Sequence, residues 1–177
     1  PSPIMEFSFL DEDGKPTPPG VAGEINVRSS AAIQRYHTGS CEDFYEGWLA
    51  TGDVGYINEE GLLFICGRVK DMIIRGGENI YPREVEEFLY QHPAISEVQV
   101  FGIADAKMGE EVCAWIQLNA GHALTEQDVK NYCADQITHF KVPRHIRFVT
   151  EYPMTVTGKI QKFALREQLR SASAIDE

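Results

Sequence analysis

Between Gly67 and Glu87 the chain reads GRVKDMIIRGGENIYPREVEE, and few local structures fit such a run. A charged turn, Gly67 to Asp71, precedes a short apolar triplet, Met72, Ile73 and Ile74. Arg75, Gly76 and Gly77 interrupt it. Paired glycines permit a sharp turn or a close backbone approach to a ligand, because neither carries a Cβ. Glu78, Asn79 and Ile80 resume a short strand. Pro82 then stands where a helix begins, with Glu84, Glu86 and Glu87 in its first turns, where acidic residues suit the helix dipole. Taken alone, the stretch is a double-glycine hairpin feeding a surface helix.

The two flanks differ. Before Gly67 the pattern predicts strands over 6–10 and 24–28, with a turn at 11–14 and a proline-rich loop over 15–20. Residues 29–45 are poorly patterned and predict a loop with at most a helical turn. A hairpin pairs 54–57 with 62–66 through Asn58, Glu59, Glu60 and Gly61. No helix of any length is expected there, so residues 1–67 read as a small all-β unit, a distorted barrel. After a boundary at 68–71 the character becomes mixed. A helix is predicted over 82–91, ended by His92-Pro93, with strands over 95–103 and 111–118 and a polar, mobile connection between them. Thr125, with Asp128 three residues on, predicts an N-capped helix running to 137. A third strand over 146–149, a helix over 163–169 and a fraying tail complete it. The fold class is therefore α+β, with a C-terminal α+β unit, 72–177, built on a three-stranded sheet and helices.

The net charge of the 177 residues is -11. That field repels nucleic acid and anionic membrane alike and argues against nonspecific binding to either. Cys41, Cys66, Cys113 and Cys133 form no CxxC pair, so neither a metal site nor a disulfide framework is expected, and buried thiols in a reducing compartment are. No apolar run approaches the ~20 residues that span a bilayer. The chain opens at Pro1 directly into Ile4, Met5, Phe7 and Phe9, as a portion of a longer polypeptide does.

Three constellations could carry chemistry. Thr51-Gly52-Asp53 is an ordinary turn or a carboxylate for the hydroxyls of a ribose. Arg68 and Lys70 put two cations in one turn, which alone is a solvated face. Pro153 to Ile160, PMTVTGKI, has glycine before lysine in a Thr-rich loop. It is not a P-loop: Pro153 stands where the first glycine belongs, and Ile160 where Ser or Thr is needed.

In joint order, WLATGD, GRVKDMIIRGGENIYPREVEE and PMTVTGKIQK closely resemble the signature of the adenylate-forming acyl-CoA synthetases. GEINVR with Arg35-Tyr36, and HFKVPR from His139 to Arg144, resemble weaker motifs of that family. The resemblance implies a two-step ligase. A fatty or aromatic carboxylate attacks the α-phosphate of ATP, an acyl-adenylate forms, and a small C-terminal lid swings so that the thiol of CoA can attack. On that template Asp53 binds the ribose hydroxyls, and Arg68 sits beside the nucleotide. Lys70 falls at the hinge, next to the nucleotide. Gly76 and Gly77 line the CoA pantetheine tunnel, and Lys159 is the catalytic adenylation lysine. Partners would be the carboxylic acid, ATP and CoA, and the missing N-terminal domain of the same chain. Neither nucleic acid nor a membrane span is implied, and the compartment would be cytoplasmic.

There are departures. Some aryl-CoA ligases carry a basic residue where this chain has Ile74, and Arg75 need not replace it. The family's phosphate loop, its aromatic-Gly-x-Thr-Glu segment and its acyl pocket are absent from these residues, so Mg2+ ligands are expected in the missing part. The chain alone is expected to be inactive. Two alternatives stand beside this reading: an adenylation domain that loads a carrier protein, and a non-catalytic module that keeps the fold.

Overall fold

In a computed structural model the described residues are 5–30 and 44–173, and they form two compact units, Pro1–Lys70 and Asp71–Glu177.

The first unit is one antiparallel sheet of five strands: β1 (Met5–Leu10), β2 (Gly23–Ser29), β3 (Phe44–Tyr45), β4 (Trp48–Ile57) and β5 (Leu63–Arg68). The order is β1-β2-β4-β3, with β5 also on β4. Among the described residues β1 pairs with β2 and β5 with β4, all antiparallel, in keeping with the strand-only pattern of the sequence. Cross-strand pairs hold it. Glu6 faces Arg28 and forms an ion pair with it, and the Arg28 guanidinium lies 4.5 Å from the centre of the Trp48 ring. Tyr56 and Phe64, opposite in the β4–β5 ladder, stack with ring centres 5.2 Å apart. Gly55 is fixed by backbone approach: an added Cβ would lie 2.2 Å from the Phe64 carbonyl oxygen. The helical turn considered within 29–45 lies largely outside the described residues.

A three-residue 3₁₀ turn, Val69–Asp71, follows β5. The second unit then runs β6 (Ile73–Arg75), β7 (Glu78–Ile80), α1 (Pro82–Leu89), β8 (Ile95–Asp105), β9 (Gly109–Leu118), α2 (Glu126–Cys133), β10 (His145–Phe148) and α3 (Lys162–Ser173). Antiparallel β8 and parallel β10 flank β9, which is the expected three-stranded core. The β6–β7 hairpin adds two strands through a single bridge, Arg75 to Gly109, so the sheet has five.

Alternation along β8 and β9 gives the sheet two buried faces. Val98, Val100, Val112, Ala114 and Ile116 join Val85 and Leu89 of α1 and Val129 and Cys133 of α2. Phe101, Cys113 and Trp115 face the other way and meet Tyr152 and Leu165. The last helix thus covers a face of its own. Truncating Leu89, fully buried, to alanine is expected to cost about 2–5 kcal/mol.

Two expectations need correction. The connection over 105–109 is a tight hairpin rather than a mobile loop, because the Asp105 carboxylate accepts from the backbone N–H groups of Lys107 and Met108 at 2.9 and 2.8 Å. And α2 stops at Cys133, short of 137, since Asp135 takes a left-handed φ of 60° that no helix continues through.

The capping box of α2 is present: Thr125 Oγ1 accepts from Asp128 N–H, and Asp128 accepts from Thr125 N–H at 2.8 Å. The Thr125 hydroxyl and backbone hold the Asp128 carboxyl below its ordinary value of 3.8, and backbone N–H groups from Met108 and Lys107 do the same for Asp105. Depressed carboxylates stabilise the folded state above their ordinary value and lose that contribution as pH falls through the folded value. The urea midpoint is therefore expected to drop below about pH 4, and Asp128→Asn should flatten that dependence.

Candidate active site

In the first unit, the β4–β5 register places Asp53 directly opposite Arg68, bringing together residues fifteen positions apart. Arg68 Nε lies 3.2 Å from Asp53 Oδ1. Asp53 is fixed from behind. Its N–H donates to Thr51 Oγ1 at 3.1 Å, and that hydroxyl donates to the Ile25 carbonyl on β2 at 2.8 Å. Gly52 supplies the left-handed φ of 72° between them. Both side chains are partly exposed, so the pair contributes little to stability, about 0–1 kcal/mol. Its chemical value is an acceptor carboxylate beside a donor guanidinium on one rim, a set suited to a diol next to a phosphate. Lys70, exposed on the 3₁₀ turn, makes no ion pair among the described residues.

In the second unit, Gly76 and Gly77 form the two-residue turn of the β6–β7 hairpin. Both have left-handed φ, 60° and 90°, as a type I′ turn requires. Gly76 N–H donates to the Met108 carbonyl at 2.8 Å, and a Cβ on Gly76 would meet Met108 Cε at 2.6 Å. Around Gly77 nothing lies within 4 Å. Ile74 is exposed and gives its N–H to Glu110 Oε2 at 2.9 Å. The neighbouring Arg75 guanidinium is turned inward onto Glu111.

Lys159 sits on a short turn closed by the Met154–Ile160 bridge. Thr155 N–H donates to the Lys159 carbonyl at 2.8 Å, Gly158 N–H to the Thr155 carbonyl at 2.9 Å, and Lys159 N–H to Thr155 Oγ1 at 3.1 Å. Gly158 has φ of 78°. The backbone is thus tied down while the Lys159 side chain is exposed and makes no ion pair among the described residues. The base of the turn is rigid. Tyr152, buried, donates its hydroxyl to the Trp115 carbonyl at 2.7 Å, and burial pushes its phenol upward. Beyond the turn, Lys162 Nζ donates to Glu86 Oε1 at 2.7 Å and to the Val100 carbonyl at 3.0 Å.

The fold brings Asp53 to Arg68 and Gly76 to Gly77, but it keeps the glycine turn away from the Lys159 turn. The hairpin meets β9 at Gly109, the base of the Lys159 turn is anchored at Trp115 through Tyr152, and the offset of six positions along the strand spans about 20 Å. The two elements also grow from opposite faces: Ile73 and Ile80 belong to one core, Ile160 to the other. Cys113 and Cys133 are buried, and burial pushes their thiols up to about 12 and about 11.

The residues that sequence reasoning missed are supports: Glu111, Tyr152 and the Lys162–Glu86 pair. An acid inside the run EEVCAWI was the visible signal for Glu111, because a charge on a buried strand requires a partner.

Residues 84–159 match the family described as AMP-binding enzyme C-terminal domain. The chain is similar to the medium-chain acyl-CoA ligase ACSF2, mitochondrial, of Rattus norvegicus, with 48% identity over 89% of this chain and 26% of that protein. It is also similar to the putative acyl-CoA synthetase YngI of Bacillus subtilis, with 48% identity over 84% of this chain and 28% of that protein. The chain therefore spans about a quarter of the length of these curated relatives. Among solved structures, an anthranilate CoA ligase, AuaEII, in complex with anthranoyl-AMP matches with TM-score 0.85 and 36% identity over 97% of this chain and 34% of that one. The amide bond synthetase McbA from Marinactinospora thermotolerans matches with TM-score 0.86 and 33% identity over 94% of this chain and 35% of that one. Residues 84–159 thus carry an AMP-binding enzyme C-terminal domain, and the homologues of this chain are acyl-CoA ligases.

Proposed function

We propose that this chain is the C-terminal lid and adjoining β unit of an ATP-dependent acyl-CoA ligase, which joins a fatty or aromatic carboxylic acid to CoA through an acyl-adenylate. The observation that carries this reading is the separation of the two loops. One small unit holds an exposed lysine and an exposed double-glycine turn on different faces, anchored about 20 Å apart along β9, so presenting one to a reaction centre withdraws the other. That suits two half-reactions run in turn.

In the first, the carboxylate oxygen attacks the α-phosphorus, and the bond to pyrophosphate breaks. Lys159 places its ammonium between carboxylate and α-phosphate and stabilises the charge that builds there. Asp53 accepts from the ribose hydroxyls, and Arg68 stands beside the same nucleotide. In the second, the sulfur of CoA attacks the acyl carbon, and AMP leaves. Gly76 and Gly77 line the path of the pantetheine arm, where a Cβ at Gly77 would enter open space. Lys70, on the border between the two units, is the hinge. Magnesium accompanies ATP and is held outside this chain. A reducing compartment, the cytoplasm, suits thiols at Cys66, Cys113 and Cys133, and no helix among the described residues is long and apolar enough to cross a membrane.

The purified 177-residue chain is expected to release no pyrophosphate from ATP with a panel of fatty and aromatic acids, because the groups that stabilise the departing pyrophosphate lie elsewhere. Turnover near ~1 per second, ordinary for an enzyme, would refute this. The longer protein should release pyrophosphate with its acid and then pass the acyl group to free CoA. Transfer only to a carrier protein would favour the carrier-loading alternative.

A further inference from the structure

We propose that the Arg75–Glu111 pair is a positioning clamp that sets the orientation of the Gly76-Gly77 turn for the thiol-transfer step. The clamp rests on the reading of that turn as the CoA path.

Glu111 on β9 is wholly buried. Arg75 Nε lies 2.6 Å from its Oε2, and Arg75 Nη2 donates to Oε1 at 3.2 Å. The Nε contact is close but angled off the hydrogen-bond line, so its attraction is that of an ion pair. Arg75 Nη1 donates to the Phe140 carbonyl at 2.8 Å, and Arg144 Nη1 donates to Glu111 Oε1 at 3.1 Å. One guanidinium thus ties the residue before the glycines both to the central strand and to the segment 139–144.

The hairpin needs such a tie. It has three residue pairs, and so short a ribbon is marginal by itself. Its ladder meets the sheet at one bridge. The planar fork of Arg75 fixes direction as well as distance, which a lysine ammonium does not. A buried ion pair is weak evidence for net stability, because desolvation offsets the attraction. Its effect here is to select one arrangement of the turn.

Three variants of the longer protein test this. Arg75→Lys keeps the charge and loses the fork. The double variant Arg75→Met with Glu111→Leu replaces the pair by apolar groups, which commonly preserves stability. Gly77→Leu tests the CoA path itself. For the first two, amide exchange over residues 74–80 is expected to accelerate about tenfold or more while β8 and β9 stay protected, KM for CoA in thioester formation is expected to rise about tenfold, and adenylate formation is expected to be unchanged. If exchange at the hairpin does not change in either variant, there is no clamp. If exchange accelerates but CoA kinetics do not move while Gly77→Leu blocks the step, the clamp does not position for catalysis. If Gly77→Leu leaves the thioester step intact, the CoA reading of the turn fails, and exchange still decides whether Arg75 holds the hairpin.

Discussion

Replacing Lys159 by alanine in the longer protein is expected to slow acyl-adenylate formation by about 100-fold or more, the scale of losing one preorganised charged donor. The turn makes the substitution clean. Every contact that shapes it runs through backbone or through Thr155, so removing an exposed side chain leaves the fold intact, with a stability change within about 0.5 kcal/mol. Two other lysines serve as controls. Lys162 is tied to Glu86 at 2.7 Å and Lys141 to Glu84 at 2.6 Å, so their ammonium groups are already engaged. Pyrophosphate–ATP exchange measures the loss. A surface turn with no chemical duty predicts exchange at the parent rate.

Gly77→Leu is expected to do the opposite: thioester formation falls by about 100-fold, and adenylate formation stays within a few-fold of the parent. The two glycines differ here. At Gly76 the unit's own packing opposes a side chain, through Met108, although that methyl is the end of a flexible chain. At Gly77 no atom of the unit opposes one, and only the left-handed φ of 90° disfavours leucine, by about 1–2 kcal/mol. Gly77→Asn separates backbone strain from obstruction, because asparagine tolerates that region far better than leucine. Rapid-quench measurement of acyl-CoA from pre-made adenylate checks both variants. Equal rates for leucine and glycine would mean that no ligand passes the turn.

Much of the second unit was legible in the sequence because its elements carry local punctuation. Pro82 opens α1, the Thr125–Asp128 box opens α2, and alternation marks β8 and β9. What escaped depends on register between distant segments. Nothing local says that Arg75 reaches Glu111, or that odd-numbered residues of β9 bury a second face under α3. Asp135 adopting a left-handed φ, and so ending α2, is likewise set by tertiary context. At the candidate site, the individual residues were legible from motif order and the resemblance it carries. The opposition of Asp53 and Arg68 follows from the β4–β5 hairpin, which includes a bulge between Val54 and Gly55 that no residue pattern announces. The Thr51 hydroxyl holding Asp53 in place through Ile25 is visible only once β2 and β4 are paired.

Alternating use of this unit requires that the two loops serve different steps. The most direct measurement is single-turnover thioester formation by Lys159→Ala supplied with pre-formed acyl-adenylate and CoA, bypassing the step in which the lysine acts. The predicted rate is within about twofold of the parent, despite an adenylation rate down about 100-fold. An equal loss in both half-reactions would contradict the alternating use of this unit and leave Lys159 as a structural or general nucleotide contact.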